Sequence, residues 1–314
     1  MTKRKIILLS INILLILIII GQNIFSSKGK IKEITTKENP TKIIIENHSE
    51  KITILKNNNT WELENNLPLQ NDLCNYIAKT STSLKIIDTV SKTNSEEEIK
   101  KYGFDNPIVV TALSDNKIIQ QLIIGKPASN NNQSYVKLNN KKEIYLVSGN
   151  LNSLFEITSK ELLDMTLYSL DINKIYKIEI SKFEKSNKTQ NEPLEKNITI
   201  EKSGEISNYD WKIISSTEKF NYENFNSQKF QDWLNNILEL STEKWIDDFN
   251  SIEPIINGTP EIKIVIGSGG KDIIINLYKN NDNIICLCSE NEHPCLISEI
   301  DWNKFNINFN EFIK

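Results

Sequence analysis

Pro107-Ile-Val-Val-Thr-Ala-Leu-Ser-Asp-Asn-Lys-Ile-Ile-Gln-Gln-Leu-Ile-Ile-Gly125 reads as a β-hairpin. An apolar run to Leu113 meets the turn Ser114-Asp115-Asn116-Lys117, and a second run follows from Ile118 to Ile124. The pattern returns after Pro260, with Ile262 to Ile266, the turn Gly267 to Asp272, and Ile273 to Tyr278. A further pair of runs follows each hairpin: Tyr135 to Leu138 with Glu143 to Val147, and Asn283 to Cys288 with Cys295 to Ser298. Connections this short favour antiparallel pairing, because parallel strands require long crossovers.

Upstream of each hairpin the features also recur in order. Short strand-like segments at Lys42 to Glu46 and Lys51 to Leu55 lead to Trp61, a helical stretch and Pro107. Lys177 to Ile180 and Asn197 to Glu201 lead to Trp211, a helical stretch and Pro260. Trp61 and Pro107 are 46 positions apart, Trp211 and Pro260 49, which argues for duplication with small insertions. In the helical stretches Leu73, Tyr76 and Ile77 match Phe230, Trp233 and Leu234, each triplet at i, i+3 and i+4 on one face, a pattern of core contacts with a sheet. The polar insertion between Ser181 and Asn197 reads as a long hairpin loop of the second copy.

The expected fold class is therefore α+β: one N-terminal transmembrane helix followed by two repeated modules, each a mainly antiparallel sheet with helices packed on one face. The expected boundaries are a cytoplasmic tip and anchor over residues 1–25, a linker over 26–41, a first module over 42–170, and a second, degenerate copy over 171–314. The anchor reading rests on Lys3, Arg4 and Lys5 preceding an apolar run from Ile6 to Phe25, about 30 Å of helix at about 1.5 Å per residue. Positive charge before the run keeps the N-terminus cytoplasmic and exports the body, to the outer face of the inner membrane. A cleaved signal peptide is the alternative, although no A-x-A-like site follows Ile20. With 37 basic and 41 acidic residues and a net charge of −4, the chain carries no electrostatic footprint for nucleic acid.

Chemistry is sparse. Cys286, Cys288, His293 and Cys295 hold metal-ligand side chains, but their spacing is unlike that of zinc sites. A turn over Ser289 to Pro294 returns Cys295 toward Cys288, so a disulfide, free buried thiols and a metal all stay open, with Cys288 and Cys295 as the candidate bridge. Gly267-Ser-Gly-Gly-Lys271 lacks the spacing of a phosphate-binding loop and precedes a strand-like run, so it reads as a hairpin turn. His48 and His293 each lie in a polar turn without a neighbouring nucleophile and orienting group. Glu96 to Glu98 read as the acidic first turn of a short helix. No catalytic residue, cofactor or metal set emerges.

Trp61 with Pro68 and Asp72, then Tyr102-Gly-Phe-Asp-Asn-Pro107, Ile124-Gly125, Tyr135-Val136, Ile144-Tyr145 and Leu162-Leu-Asp164 resemble the DUF4340 family, a domain of unknown function. Phe104 stands where Leu is usual, and Leu163 where a basic residue often precedes the Asp. The resemblance covers Trp61 to Asp164, and the second half looks like a copy that lacks the Tyr-Gly element. Family members resemble extracytoplasmic parts of gliding-motility-associated ABC transporter systems, and no catalytic residues are established for them. It implies structural roles for Trp61, Tyr102, Gly103, Pro107 and Gly125. It also implies a non-enzymatic accessory subunit with protein partners in an ABC-type transporter or envelope machine. A binding module for cell-wall glycan or lipid-linked cargo is the alternative, and an envelope hydrolase a third reading.

Overall fold

The computed structural model describes residues 32–139, 141–184, 194–205, 208–219 and 222–313. The chain divides into two compact units, one ending at Asp164 and the next beginning at Met165. The first holds β1 (Lys32–Thr35), β2 (Lys42–Glu46), β3 (Lys51–Asn57), β4 (Thr60–Leu63), β5 (Ser83–Ser91), β6 (Ile108–Ser114), β7 (Lys117–Pro127), β8 (Gln133–Leu138) and β9 (Ile144–Ser148). They pair antiparallel in the order β1-β5-β9-β8-β7-β6-β2-β3-β4. The β6–β7 turn places Asp115 at φ 45° and Asn116 at φ 63°, the left-handed pair that a tight hairpin connection requires and that Asp and Asn tolerate.

Helices α1 (Asn71–Thr82), α2 (Glu96–Tyr102), α3 (Leu151–Phe155) and α4 (Ser159–Leu162) complete this unit. Alternation along the strands splits the side chains between two faces. Ile43, Ile45, Ile52, Ile54, Val110, Leu122 and Ile124 form the main core with Cys74 and Ile77 of α1 and Leu151 and Phe155 of α3. Ile123 and Tyr135 point the other way and meet Ile99 and Tyr102 of α2 with Phe104.

The second unit holds β10 (Thr166–Ser169), β11 (Ile175–Glu184), β12 (Leu194–Glu205), β13 (Asn208–Ser216), β14 (Glu239–Ser241), β15 (Lys244–Trp245), β16 (Ile262–Ser268), β17 (Lys271–Asn280), β18 (Asn283–Cys288) and β19 (Cys295–Ile297). Its helices are α5 (Ser227–Asn235), α6 (Phe249–Ile256) and α7 (Glu299–Phe305). The sheet order is β13-β12-β11-β16-β17-β18-β19-β15, with β10 and β14 as a separate pair. Taking β14 and β15 as one interrupted strand, this is the order of the first unit reversed in the telling, strand for strand, with β10 in the place of β1. α6 covers the second face, through Ile252 with Tyr278 and Ile285, as α2 does in the first unit.

A tryptophan clamp is repeated in atomic detail. Trp61 on β4 donates its backbone N–H to Asn71 Oδ1 (2.9 Å) and its indole N–H to Asn75 Oδ1 (2.9 Å), two positions one turn apart on α1. Trp211 on β13 donates its backbone N–H to Ser227 Oγ (3.3 Å) and its indole N–H to Gln231 Oε1 (2.7 Å), again four residues apart, on α5. Opposite each tryptophan on the neighbouring strand stands a lysine, Lys56 or Lys202, with its ammonium over the ring at 5.4 and 5.3 Å. Each copy also closes on itself. Leu163 bridges Leu69 just before α1, and Ile313 bridges Phe225 just before α5. Capping boxes at Thr158 with Glu161 and at Asn308 with Glu311 set up the two closures.

Several expectations are corrected. The expected membrane-crossing helix followed by α+β modules does not describe the observed fold: antiparallel sheet is the dominant regular structure of the described residues, and no helix among them is long and apolar enough to cross a membrane. The run Ile6 to Phe25 lies outside the described residues. Helices cover both faces of the sheets rather than one, because α2 and α6 dock on the side opposite α1 and α5. Lys32–Thr35, expected within a linker, is a strand, since β5 offers it an edge to pair with. The copies divide after Asp164 rather than Leu170, because β10 opens the second as β1 opens the first. The helix alignment shifts by one residue: Cys74, Ile77 and Ala78 correspond to Phe230, Trp233 and Leu234, and Tyr76 is exposed.

Replacing Asn75 or Gln231 by Leu strands an indole N–H in the core. Each change is expected to cost about 1–3 kcal/mol, the penalty for a buried donor without a partner, read from urea unfolding followed by tryptophan fluorescence.

Candidate functional site

Of the residues singled out by the family motif, Tyr102, Gly103 and Gly125 meet on the second face of the first sheet. α2 begins at Ser95, whose hydroxyl caps the Glu98 N–H, and Glu96 to Glu98 supply the acidic first turn. It ends at Gly103 in the left-handed conformation, φ 76°, where a Cβ would stand 2.8 Å from the Lys126 backbone nitrogen. At Gly125 a Cβ would stand 2.2 Å from the Tyr102 carbonyl oxygen. Two glycines thus let the helix end press directly on β7. Asn152 of α3 donates to the Gly125 carbonyl at 2.6 Å. Tyr102 packs on Tyr135, ring centroids 4.7 Å apart, and Pro107 lies immediately before β6. Trp61, only 1% exposed, belongs to the clamp already described.

The second copy solves the same contact differently. Gly125 follows Ile124, the partner of Ile108, and in the corresponding register Tyr278 follows Leu277, the partner of Ile262. Tyr278 fills the gap and donates its hydroxyl to the Ile256 carbonyl at the end of α6, 3.1 Å away. This tyrosine accounts for the missing Tyr-Gly element of the second half.

His48 sits in the β2–β3 turn. Its Nδ1 lies 2.7 Å from Glu156 Oε2 and its Nε2 lies 3.0 Å from the Asn106 carbonyl oxygen. Both partners are acceptors, so the doubly protonated ring satisfies both, and the Asn106 carbonyl foremost, with Glu156, raises the imidazole pKa above 6.5. The histidine ties three segments together. His293 lies in the β18–β19 turn beside Phe249, ring centroids 5.9 Å apart. Among the described residues no group of three or more His, Cys, Asp or Glu side chains is arranged to hold a metal ion.

All four cysteines are free and buried. The register corrects the expected pairing: Cys295 lies opposite Cys286, while Cys288 lies opposite Ile275 of β17. The six-residue connection Ser289 to Pro294 is wider than a tight turn, so the returning strand meets β18 two residues earlier than expected. Burial pushes the Cys74 thiol up to about 12 and Cys288 to about 11, which suppresses thiolate chemistry at both in the folded state.

Two further surfaces stand out. A cleft of about 430 Å³ in the first unit is lined by Glu33, Thr35, Lys56, Asn75, Lys79 and Ser83 among others. Its wall mixes charges of both signs with Pro40, Ala78 and the largely buried Trp61. The second surface is an edge. β4 stops at Leu63, and the following chain covers it, with the Leu63 N–H bonded to the Leu67 carbonyl and the Leu69 N–H to the Trp61 carbonyl. The corresponding β13 runs on past Ile213 to Ser216. A bulge between Thr199 and Ile200 on its neighbour's ladder leaves Ile214 as the extra residue, turned outward and 54% exposed. The sequence carried no signal for this bulge beyond two adjacent isoleucines.

Gly125→Ala is expected to destabilise the first unit by about 3 kcal/mol, because backbone must move to admit the methyl group, whereas Tyr278→Phe loses one hydrogen bond and about 1 kcal/mol in the second. Urea denaturation of the two variants separates the cases. Because the folded-state pKa of His48 is raised, its stabilisation is present in full below about pH 6.5 and is lost as pH rises through the folded value. The loss is expected to be about 0.2–1 kcal/mol for so exposed a pair, and His48→Gln removes this component from the pH profile of the urea midpoint.

The family model for DUF4340, a domain of unknown function, matches residues 61–254. The match opens at the Trp61 clamp and ends within α6, so it extends into the second copy beyond Asp164. No curated protein and no solved structure matches the chain. With more than half of the 314 residues matched, the chain belongs to the DUF4340 family.

Proposed function

We propose that this protein is a non-catalytic docking subunit that binds another protein through the β13 edge of its second copy. The family resemblance suggests a component of an ABC-type transporter or a related envelope machine as that partner. The observation that carries the reading is the extended β13 edge, with Ile214 exposed where the first copy seals its own edge. β13 is the end strand of its sheet, and an end strand can add an extended segment of a partner, with an adjacent apolar side chain giving specificity. Lys212 on the same strand is exposed and disfavours indiscriminate strand pairing. The motif residues support the reading from the other side, since Trp61, Tyr102, Gly103 and Gly125 are all engaged in packing.

Photo-crosslinking from position 212, an exposed site on the same strand, in cells is expected to capture a permease or ATPase component of an ABC-type transporter. Ile214→Asp should reduce capture at least tenfold, while His48→Gln and His293→Gln leave it unchanged. Equal capture by Ile214→Asp, or saturable turnover of an envelope substrate by the isolated protein that one side-chain change removes, would overturn the proposal.

A further inference from the structure

Three of the four cysteines lie in the second copy, on β18 and β19. Cys286 and Cys295 are directly opposed in the antiparallel register, and both are fully buried. The Cys295 Sγ approaches the Cys286 carbonyl oxygen at 3.6 Å, so the thiol lies against the neighbouring strand rather than away from it. Directly opposed residues have Cα atoms about 4.5–5.5 Å apart, within the span a disulfide bridges. Diagonal neighbours such as Cys288 and Cys295 are about 7–8 Å apart, beyond that span. Cys286 and Cys288, two apart on one strand, have Cα atoms about 6.5 Å apart along an extended chain, with a backbone that holds their side chains parallel. The first copy has Val136 opposite Tyr145 at the corresponding positions, so the fold does not itself require cysteine there.

From this we infer that Cys286 and Cys295 are a covalent modification site: a cross-strand disulfide forms between them when the chain folds in the presence of a disulfide oxidant. One thiolate attacks a sulfur of the oxidant's disulfide, giving a mixed disulfide and releasing one oxidant thiolate. The second cysteine thiolate attacks the protein sulfur of that mixed disulfide and releases the other. Two protein thiols give up two electrons and two protons, and the oxidant becomes two thiols. The native state shields both sulfurs completely, so the exchange takes place before β18 and β19 close into the sheet. Once made, the bond closes a short loop and lowers the unfolded population of this unit on the order of a hundredfold in the chain-entropy model.

The test refolds the full chain from denaturant in a reduced and oxidised glutathione buffer, blocks free thiols with an alkylating reagent, and maps linkages by mass spectrometry after cleavage at Glu290 and Glu292. The expected product links Cys286 to Cys295 and carries alkylated Cys74 and Cys288. Cys288→Ala should leave the linkage intact and remove any ambiguity within the Cys286 peptide. The oxidised protein should unfold at higher urea concentration than its reduced form, a difference absent from Cys286→Val. Folded, reduced protein given the same buffer without denaturant should keep both thiols. A Cys288 to Cys295 linkage, alkylation of all four cysteines after oxidative refolding, or rapid linkage in the native state would overturn the inference.

Discussion

Each copy of this fold hangs on one contact, the tryptophan that joins the sheet's last strand to the first long helix. Its backbone N–H and indole N–H reach side chains one helical turn apart, so the ring fixes both the position and the rotation of the helix. Burying so large a ring drives the packing, while the two hydrogen bonds give it direction. The lysine opposite covers the outer ring face and lets a buried aromatic sit on an edge strand without exposing its π-surface. Shift this ring and the helix loses its register with the isoleucines beneath it.

With the clamp shared, the differences between the copies become informative. The first copy uses two glycines to bring a helix end against β7, and the second uses the length of a tyrosine to hold the helix end off. The first folds its chain back over its edge strand, and the second extends that strand and turns an isoleucine out at a bulge. The first pairs Val136 with Tyr145 where the second pairs two cysteines. Such divergence on a common frame is what duplication permits: one copy keeps the compact form while the other acquires surface features.

The hairpins were legible because strands repeat every two residues and runs such as Ile118 to Ile124 admit no other regular reading in context. The order Trp, helix, Pro, hairpin was legible because each feature is a strong local signal. Sequence places the helix face one position off because Leu73 and Tyr76 look more apolar than Cys74 and Ala78, although the smaller pair is what fits beneath the helix. β1 looks like linker in sequence because Lys32 to Thr35 carries two charges and forms a strand only through its partner β5. The cysteine pairing is not legible in sequence because register depends on how a six-residue turn closes, which composition does not encode. For the candidate site, the motif residues could be named from sequence, but their meeting across α2 and β7 could not. The β13 bulge depends on pairing with β12 and leaves no local mark.

The closing bridges at the end of each copy have a consequence for biosynthesis. Leu163 must find Leu69, and Ile313 must find Phe225, so neither copy can complete its sheet-and-helix circuit until its last residues have left the ribosome. Contacts so distant in sequence make each copy a late and cooperative folder. Because the second copy opens at Met165, directly after the first closes, synthesis delivers them one at a time. The first copy therefore completes its circuit before the second is made, and ordered emergence keeps two strand sets of the same order from exchanging partners.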